Sequence, residues 1–307
     1  MRRAAAACRG VERHGLIGAR ATAVTFEGRS GMFQSARRTL MLGAVLGLGL
    51  LSGLPAQAQS TWDAIKQRGS FRVGATQAEP WYFKDPATAK WDGFSIRVAN
   101  DIAKAMKVET TVVETSWGNA IAALQANQID LMFVLDATPE RAMAVDFIQT
   151  PLLYYALAVL HKPGLKVTDW KDLDRKEVTI ATTIGTTIDR FVTENLKNAT
   201  VTRVPNNDEV VAQFQSGRAD VASLFHPPLI ALQKKVGMGV ITLPKPVRAS
   251  PSSVAVRREA DKTWRDYLTT SIGYYYQTGQ LQRHYEEFLT SRGIDPKTVP
   301  PIVRELM

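Results

Sequence analysis

The sequence predicts an α/β protein of two similar lobes, joined by a two-stranded hinge with a ligand cleft between them. Three observations predict it. A helix–Asp–strand unit occurs twice, as "WGNAIAALQANQIDLMFVL" over 117–135 and "NDEVVAQFQSGRADVASLF" over 207–225. The strand ahead of each copy matches too, "TTVVET" against "TVTRV". Two extended stretches, near 153–160 and 246–256, leave the first lobe and return to it. Repeated β–α–β units make two lobes the economical reading, and two crossing segments permit closure about a hinge. The chain then divides into a leader over 1–58, a first lobe over 60–156 and 250–307, and a second lobe over 157–249.

Each element has its own signal. "FRVGAT", 71–76, reads as a short strand. "GFSIRVANDIAKAM" reads as an amphipathic helix with Phe94, Val98, Ile102 and Met106 on one face. The helix of the first copy ends near Asn127, which suits a left-handed C-cap, and that of the second ends at Gly217. Asp130 and Asp220 then lead the two apolar strands. Between the copies, "PLLYYALAVLHKPG" is an apolar extended run, "DWKDL" a short helix, and "EVTIATTIGTTIDRF" a strand, a Gly turn and a helix. After the second copy, "LPKPVRASPSSVAVRREAD" is Pro/Ser-rich and extended. Two C-terminal helices follow, separated by Gly279. Trp264, Leu268 and Ile272 share one face of the first, and Leu281, Tyr285 and Phe288 one face of the second. Their spacing marks them as core.

The charge of +9 resides mostly in the first 58 residues, which hold eight Arg against two Glu; the remainder has 30 basic and 27 acidic residues. The basic bias therefore gives little support to nucleic-acid or membrane-surface binding. Arg37 and Arg38 precede the apolar run "TLMLGAVLGLGLLSGLP", and "AQA" at 56–58 has the small-x-small pattern of a cleavage site. An export signal cleaved near Ala58 is expected, with the functional start at Met32 and the product a monomer in the periplasm. The only cysteine is Cys8. A chain cleaved at Ala58 has no disulfide, thiol nucleophile or thiolate metal site. His161, His226 and His284 lack metal-ligand spacing, no nucleophile elbow is present, and the phosphate-binding and dinucleotide glycine patterns are missing. No cofactor is expected.

The segment "DATPERAMAVDF", 136–147, reads as a helix start, with Thr138 as cap and Pro139 at the first helical position. Arg141 opposes the helix dipole there. The conflict disappears if Arg141 and the helix N-terminus share an anion, since a guanidinium grips a carboxylate bidentately. The plain alternative is a salt bridge to Asp136, Glu140 or Asp146. In the second lobe, "IGTTIDRF" places Gly185 in a turn, with Thr186 and Thr187 at a helix start. These can hold a carboxylate or simply cap the helix.

Residues 60–290 resemble the bacterial extracellular solute-binding proteins of family 3, the periplasmic amino-acid-binding components of ABC transporters. The resemblance rests on "RVGATQAEPWYFKD", "WDGFSIRVANDIAKAM", "SWGNAIAALQANQIDLMFVLDATPERAMAVDF", "TIGTTIDRF" and "QSGRADVAS". It implies a type II periplasmic-binding fold, lobe closure on an amino acid or related small carboxylate, and delivery to a membrane permease. By the same resemblance Arg141 pairs with the ligand carboxylate, and Thr186 and Thr187 complete that subsite. Trp117 covers the ligand, and the loop from Thr76 to Trp81 contributes Glu79 and Trp81. Two positions depart from the family pattern. Asp136 stands where a Ser or Thr is usual, five residues before the Arg. Phe225, followed by His226, stands where an Asp usually meets the ligand ammonium. Either Asp136 or Glu79 replaces that acid, or the ligand has no ammonium. Some relatives of the fold resemble cyclohexadienyl dehydratases; on that alternative Glu79, Asp136 and His226 are acid/base candidates.

Overall fold

The computed structural model describes residues 59–306. The expected leader, the start at Met32 and the cleavage point at Ala58 lie outside them. The first repeat follows α1 (Thr61–Arg68) and comprises β1 (Ser70–Ala75), the hairpin β2 (Phe83–Lys84) and β3 (Trp91–Asp92), α2 (Phe94–Met106), β4 (Glu109–Glu114), α3 (Ala120–Gln125) and β5 (Leu131–Leu135). Then come α4 (Pro139–Ala142), β6 (Val145–Phe147) and β7 (Leu153–His161). The second repeat is β8 (Thr179–Thr183), α5 (Thr187–Asn195), β9 (Thr200–Val204), α6 (Asn207–Gln215) and β10 (Val221–Phe225). The chain closes with α7 (His226–Val236), β11 (Val240–Thr242), β12 (Ala249–Arg257), α8 (Thr263–Gln277) and α9 (Gln280–Ser291).

The strands run in the order β4-β1-β5-β12-β7-β10-β8-β9. β4, β1 and β5 are parallel neighbours, and so are β9, β8 and β10. The two repeats therefore share one local topology, as two lobes of an α/β fold. β7 and β12 join them. Their first halves pair antiparallel, Ala156 with Ala249 and Leu153 with Ser252. Beyond that crossing, β7 continues against β10, and β12 continues against β5. The repeats agree in detail. Asn127 and Gly217 both take the left-handed conformation, at φ 55° and 75°. The N–H of Asp130 donates to the Arg72 carbonyl at 2.8 Å, and the Arg72 N–H returns to the Asp130 carboxylate at 2.6 Å. Asp220 and Thr179 make the same pair of bonds, at 2.8 and 3.0 Å.

One element is shorter than its signal suggests. The segment after Asp136 forms only the single turn α4, capped by the Thr138 hydroxyl. The residues "VDF" that follow pair with β12 and bury Val145 instead of extending the helix. Four residues carry little macrodipole, so the dipole conflict that singled out Arg141 is weak in the folded chain. Among the described residues, no helix is long and apolar enough to cross a membrane, and no group of three or more His, Cys, Asp or Glu could hold a metal ion.

Candidate functional site

The site lies at the C-terminal ends of the parallel strands, where open α/β sheets place their ligands. The turn α4 is held from below. The Arg258 guanidinium donates to the Met143 carbonyl at 3.0 Å and pairs with Asp146 at 3.1 Å, and Lys262 pairs with Asp146 as well. Glu140 pairs with Arg190 of α5 at 3.0 Å. Two of the three acids that could have bridged Arg141, Glu140 and Asp146, are thus taken by other cations, and the third, Asp136, makes no ion pair among the described residues. Arg141 donates instead to two backbone carbonyls, that of Asp136 at 3.0 Å and that of Gly185 at 2.8 Å. It makes no ion pair among the described residues. Burial draws its guanidinium down from its ordinary value, with Asp136 acting the other way.

Gly185 belongs to the turn between β8 and α5, so Arg141 spans the two lobes. Gly185 has φ +80°, and a Cβ there would lie 2.7 Å from the Gly118 Cα of the first lobe. Thr186 caps α5, accepting from the Asp189 N–H at 3.1 Å and donating to the Thr183 carbonyl at 2.8 Å. Its hydroxyl serves the helix. The Thr187 hydroxyl is the one that reaches across, donating to Asp136 Oδ2.

Asp136 is 8% exposed, and its other oxygen accepts from the Tyr155 hydroxyl at 2.5 Å. Burial raises the Asp136 pKa above its ordinary value, while the Thr187 and Tyr155 hydroxyls oppose the shift. Burial also drives the Tyr155 phenol well up, and Asp136 adds to the effect. Tyr155 stacks on Phe225, with ring centroids 3.7 Å apart and planes 10° from parallel. Trp81 meets Tyr155 edge-on at 6.3 Å.

Seven of the residues expected from the sequence line one cavity of about 40 Å³: Trp81, Trp117, Asp136, Arg141, Thr186, Thr187 and Phe225. Glu79 and His226 do not. Glu79 pairs with Arg292 at 3.0 Å, a partner 213 residues away. His226 opens α7, and its Nδ1 accepts the Ala156 N–H at 3.0 Å. Burial pushes its pKa down to about 4, so it stays neutral at ordinary pH. Its ring lines a separate groove between α7, β11 and residues 294–300. Glu79 lines a small adjoining pocket that shares Asn207, Leu224 and Pro228 with the cavity, and His226 lines neither. Conversely, Tyr155 and Asn207 line the cavity, although their sequence contexts read as hinge strand and helix start.

A closed cleft, a guanidinium bridging its two walls and an aromatic lining define a two-lobed binding protein of the type II periplasmic fold. The family model for bacterial extracellular solute-binding proteins, family 3, matches residues 71–291, and the chain belongs to that family. It is 24% identical over 230 residues to the L-cystine-binding protein TcyJ of Escherichia coli K12, covering 72% of this chain and 84% of that protein. It is 22% identical over 266 residues to the cyclohexadienyl dehydratase of Pseudomonas aeruginosa PAO1, covering 80% and 92%. Among solved structures it resembles the ancestral amino acid-binding protein AncCDT-1, a precursor of cyclohexadienyl dehydratase. The TM-score is 0.68 at 29% identity, over 75% of this chain and 99% of that one.

Proposed function

We propose that this is a periplasmic binding protein that closes on an α-amino acid and delivers it to an ABC importer permease. The observation that carries the reading is Arg141, a guanidinium between the lobes with carbonyl partners only. A ligand carboxylate in that position gains two charge-assisted bonds that the carbonyls supply only in part. Asp136 is the natural partner for the ammonium. It is a buried acid that is paired with hydroxyls but with no cation, and an ion so placed is costly until it is compensated. Glu79 is not available for that task, since Arg292 holds it. Trp81, Trp117, Tyr155 and Phe225 form the apolar walls of the cavity.

A volume of about 40 Å³ has room for a few water molecules, at ~10–15 Å³ each on the same measure, and not for an amino acid. An amino acid therefore enters only when the lobes part, by exchanging the Thr187–Asp136 and Arg141–Gly185 contacts for its own. Closure is favoured because only the closed state contacts the ligand from both sides. A thermal-shift screen of amino acids, keto acids and aromatic carboxylates on residues 59–307 tests the reading, since any binder raises the melting temperature by mass action. Arg141→Ala is expected to weaken a hit by about 2–5 kcal/mol, or roughly 30-fold and beyond, as read by calorimetry. Unchanged affinity would refute the carboxylate assignment.

One observation favours a second reading. The raised pKa of Asp136 beside Arg141 is what a general acid in an elimination needs. Incubation with prephenate or arogenate, followed by ultraviolet detection of an aromatic product, separates an enzyme from a binding protein.

A further inference from the structure

We propose that a groove on the hinge side of the cleft is a second subsite, which takes a carboxylate at the far end of the ligand. The inference rests on the amino-acid reading above and names the ligand class: an α-amino acid whose side chain ends in an acid.

The groove has a volume of about 570 Å³ and runs between α4, the start of α5 and the crossing strands β7 and β12. Asp136 and Thr187 line both the groove and the small cavity, so the hydrogen bond between them stands at the boundary of the two spaces. A ligand that displaces this bond opens one space into the other. At about 40 Å³ the small cavity leaves no room for a long side chain, and the groove is the larger volume next to it.

The lining of the groove selects for an anion. Its charged residues are Asp136, Arg190 and Arg248. Asp136 belongs to the cavity, and Arg190 already pairs with Glu140. Arg248 makes no ion pair and donates no side-chain hydrogen bond among the described residues. Its guanidinium lies 4.6 Å over the Phe191 ring. Stacking on an aromatic face fixes the plane of a guanidinium and leaves its N–H edge for a bidentate acceptor. The Ser252 side chain is fully buried in the same wall, beside Asp136 and Tyr155. Arg248 gives the charge and the geometry.

The test is calorimetry on the chain from residue 59, with ligand pairs that differ at the far end only: L-glutamate against L-glutamine, and L-2-aminoadipate against L-norleucine. The acid of at least one pair is expected to bind about tenfold or more tightly. Arg248→Gln is expected to abolish that advantage and leave the neutral member unchanged, with an unaltered melting temperature. Arg141→Ala weakens both members together. Equal affinity within both pairs, or an Arg248→Gln variant that keeps the advantage, overturns the subsite and leaves the amino-acid reading standing. Absence of binding by all four overturns the subsite together with that reading for these side chains.

Discussion

The two repeats are alike at one end of their strands and unlike at the other. Where β5 and β10 begin, Asp130 and Asp220 make the same reciprocal bonds to the neighbouring strand. Where the two strands end, the first gives Asp136 and the turn that carries Arg141, while the second gives Phe225 and the proline-started α7. The starts of the strands hold the sheet together and tolerate one solution. The ends face the cleft, where the lobes meet a ligand from opposite sides and need different chemistry. The comparison also separates matched residues by depth. Asp130 is 1% exposed at the side chain and pairs with Arg68 at 2.5 Å and Arg72 at 2.7 Å, whereas Asp220 is 29% exposed and pairs with Lys162 at 2.6 Å.

The largest break in the symmetry is expected there. Asp130→Ala leaves two guanidiniums and a strand N–H without their acceptor and should cost ~3–5 kcal/mol in urea denaturation. Asp220→Ala should cost ~1 kcal/mol, because its pair is solvent-screened. Equal losses would show that the repeats carry the same load.

Next come the two left-handed glycines. Gly185→Ala adds both backbone strain and a methyl group against Gly118, and it should weaken ligand binding by ~1–3 kcal/mol, measured by calorimetry. Gly217→Ala has the same backbone problem at φ +75° but no atom within 4 Å. It should lower stability by ~1 kcal/mol and leave affinity untouched. If Gly185→Ala binds normally, Gly185 and Gly118 do not meet in the bound state.

The last effect is one of sign. The folded pKa of Asp136 is raised above its unfolded value. Its penalty on the ligand-free fold is therefore absent below the ordinary carboxylate range, grows as pH rises through the folded value and is complete above it. Asp136→Asn should gain in melting temperature relative to the parent on going from pH 4 to pH 8. A gap that narrows over that range would mean that the carboxylate is compensated in the folded state.

The repeat was legible because helix ends and Asp-led strands leave local marks. The place of Arg141 on the cavity wall was legible for a reason that holds only in part. The dipole conflict drew attention to it, yet α4 is a single turn, and what distinguishes Arg141 is that other cations occupy Glu140 and Asp146 while its own partners are backbone carbonyls. Glu79 lay on the right loop, but its partner Arg292 is brought to it from the end of the chain. His226 follows a strand that points at the cleft, but as the first residue of α7 its ring turns to the Ala156 N–H. Tyr155 left no mark, since an apolar crossing strand reads the same whether or not one phenol meets a buried acid. Each of these placements is set by a contact between residues far apart in sequence.

The closing contacts across the cleft have one further consequence. Arg141 reaches the Gly185 carbonyl, and Thr187 reaches Asp136. Each contact presents to one wall a group like those a ligand would offer. The protein thus carries an internal competitor for its own site, tethered and always present at high local concentration. Apparent affinity is the intrinsic affinity reduced by the share of molecules in which that competitor has let go. On the amino-acid reading proposed above, weak carboxylates from the surroundings would lose to it, and selectivity would begin before any contact with a side chain is made.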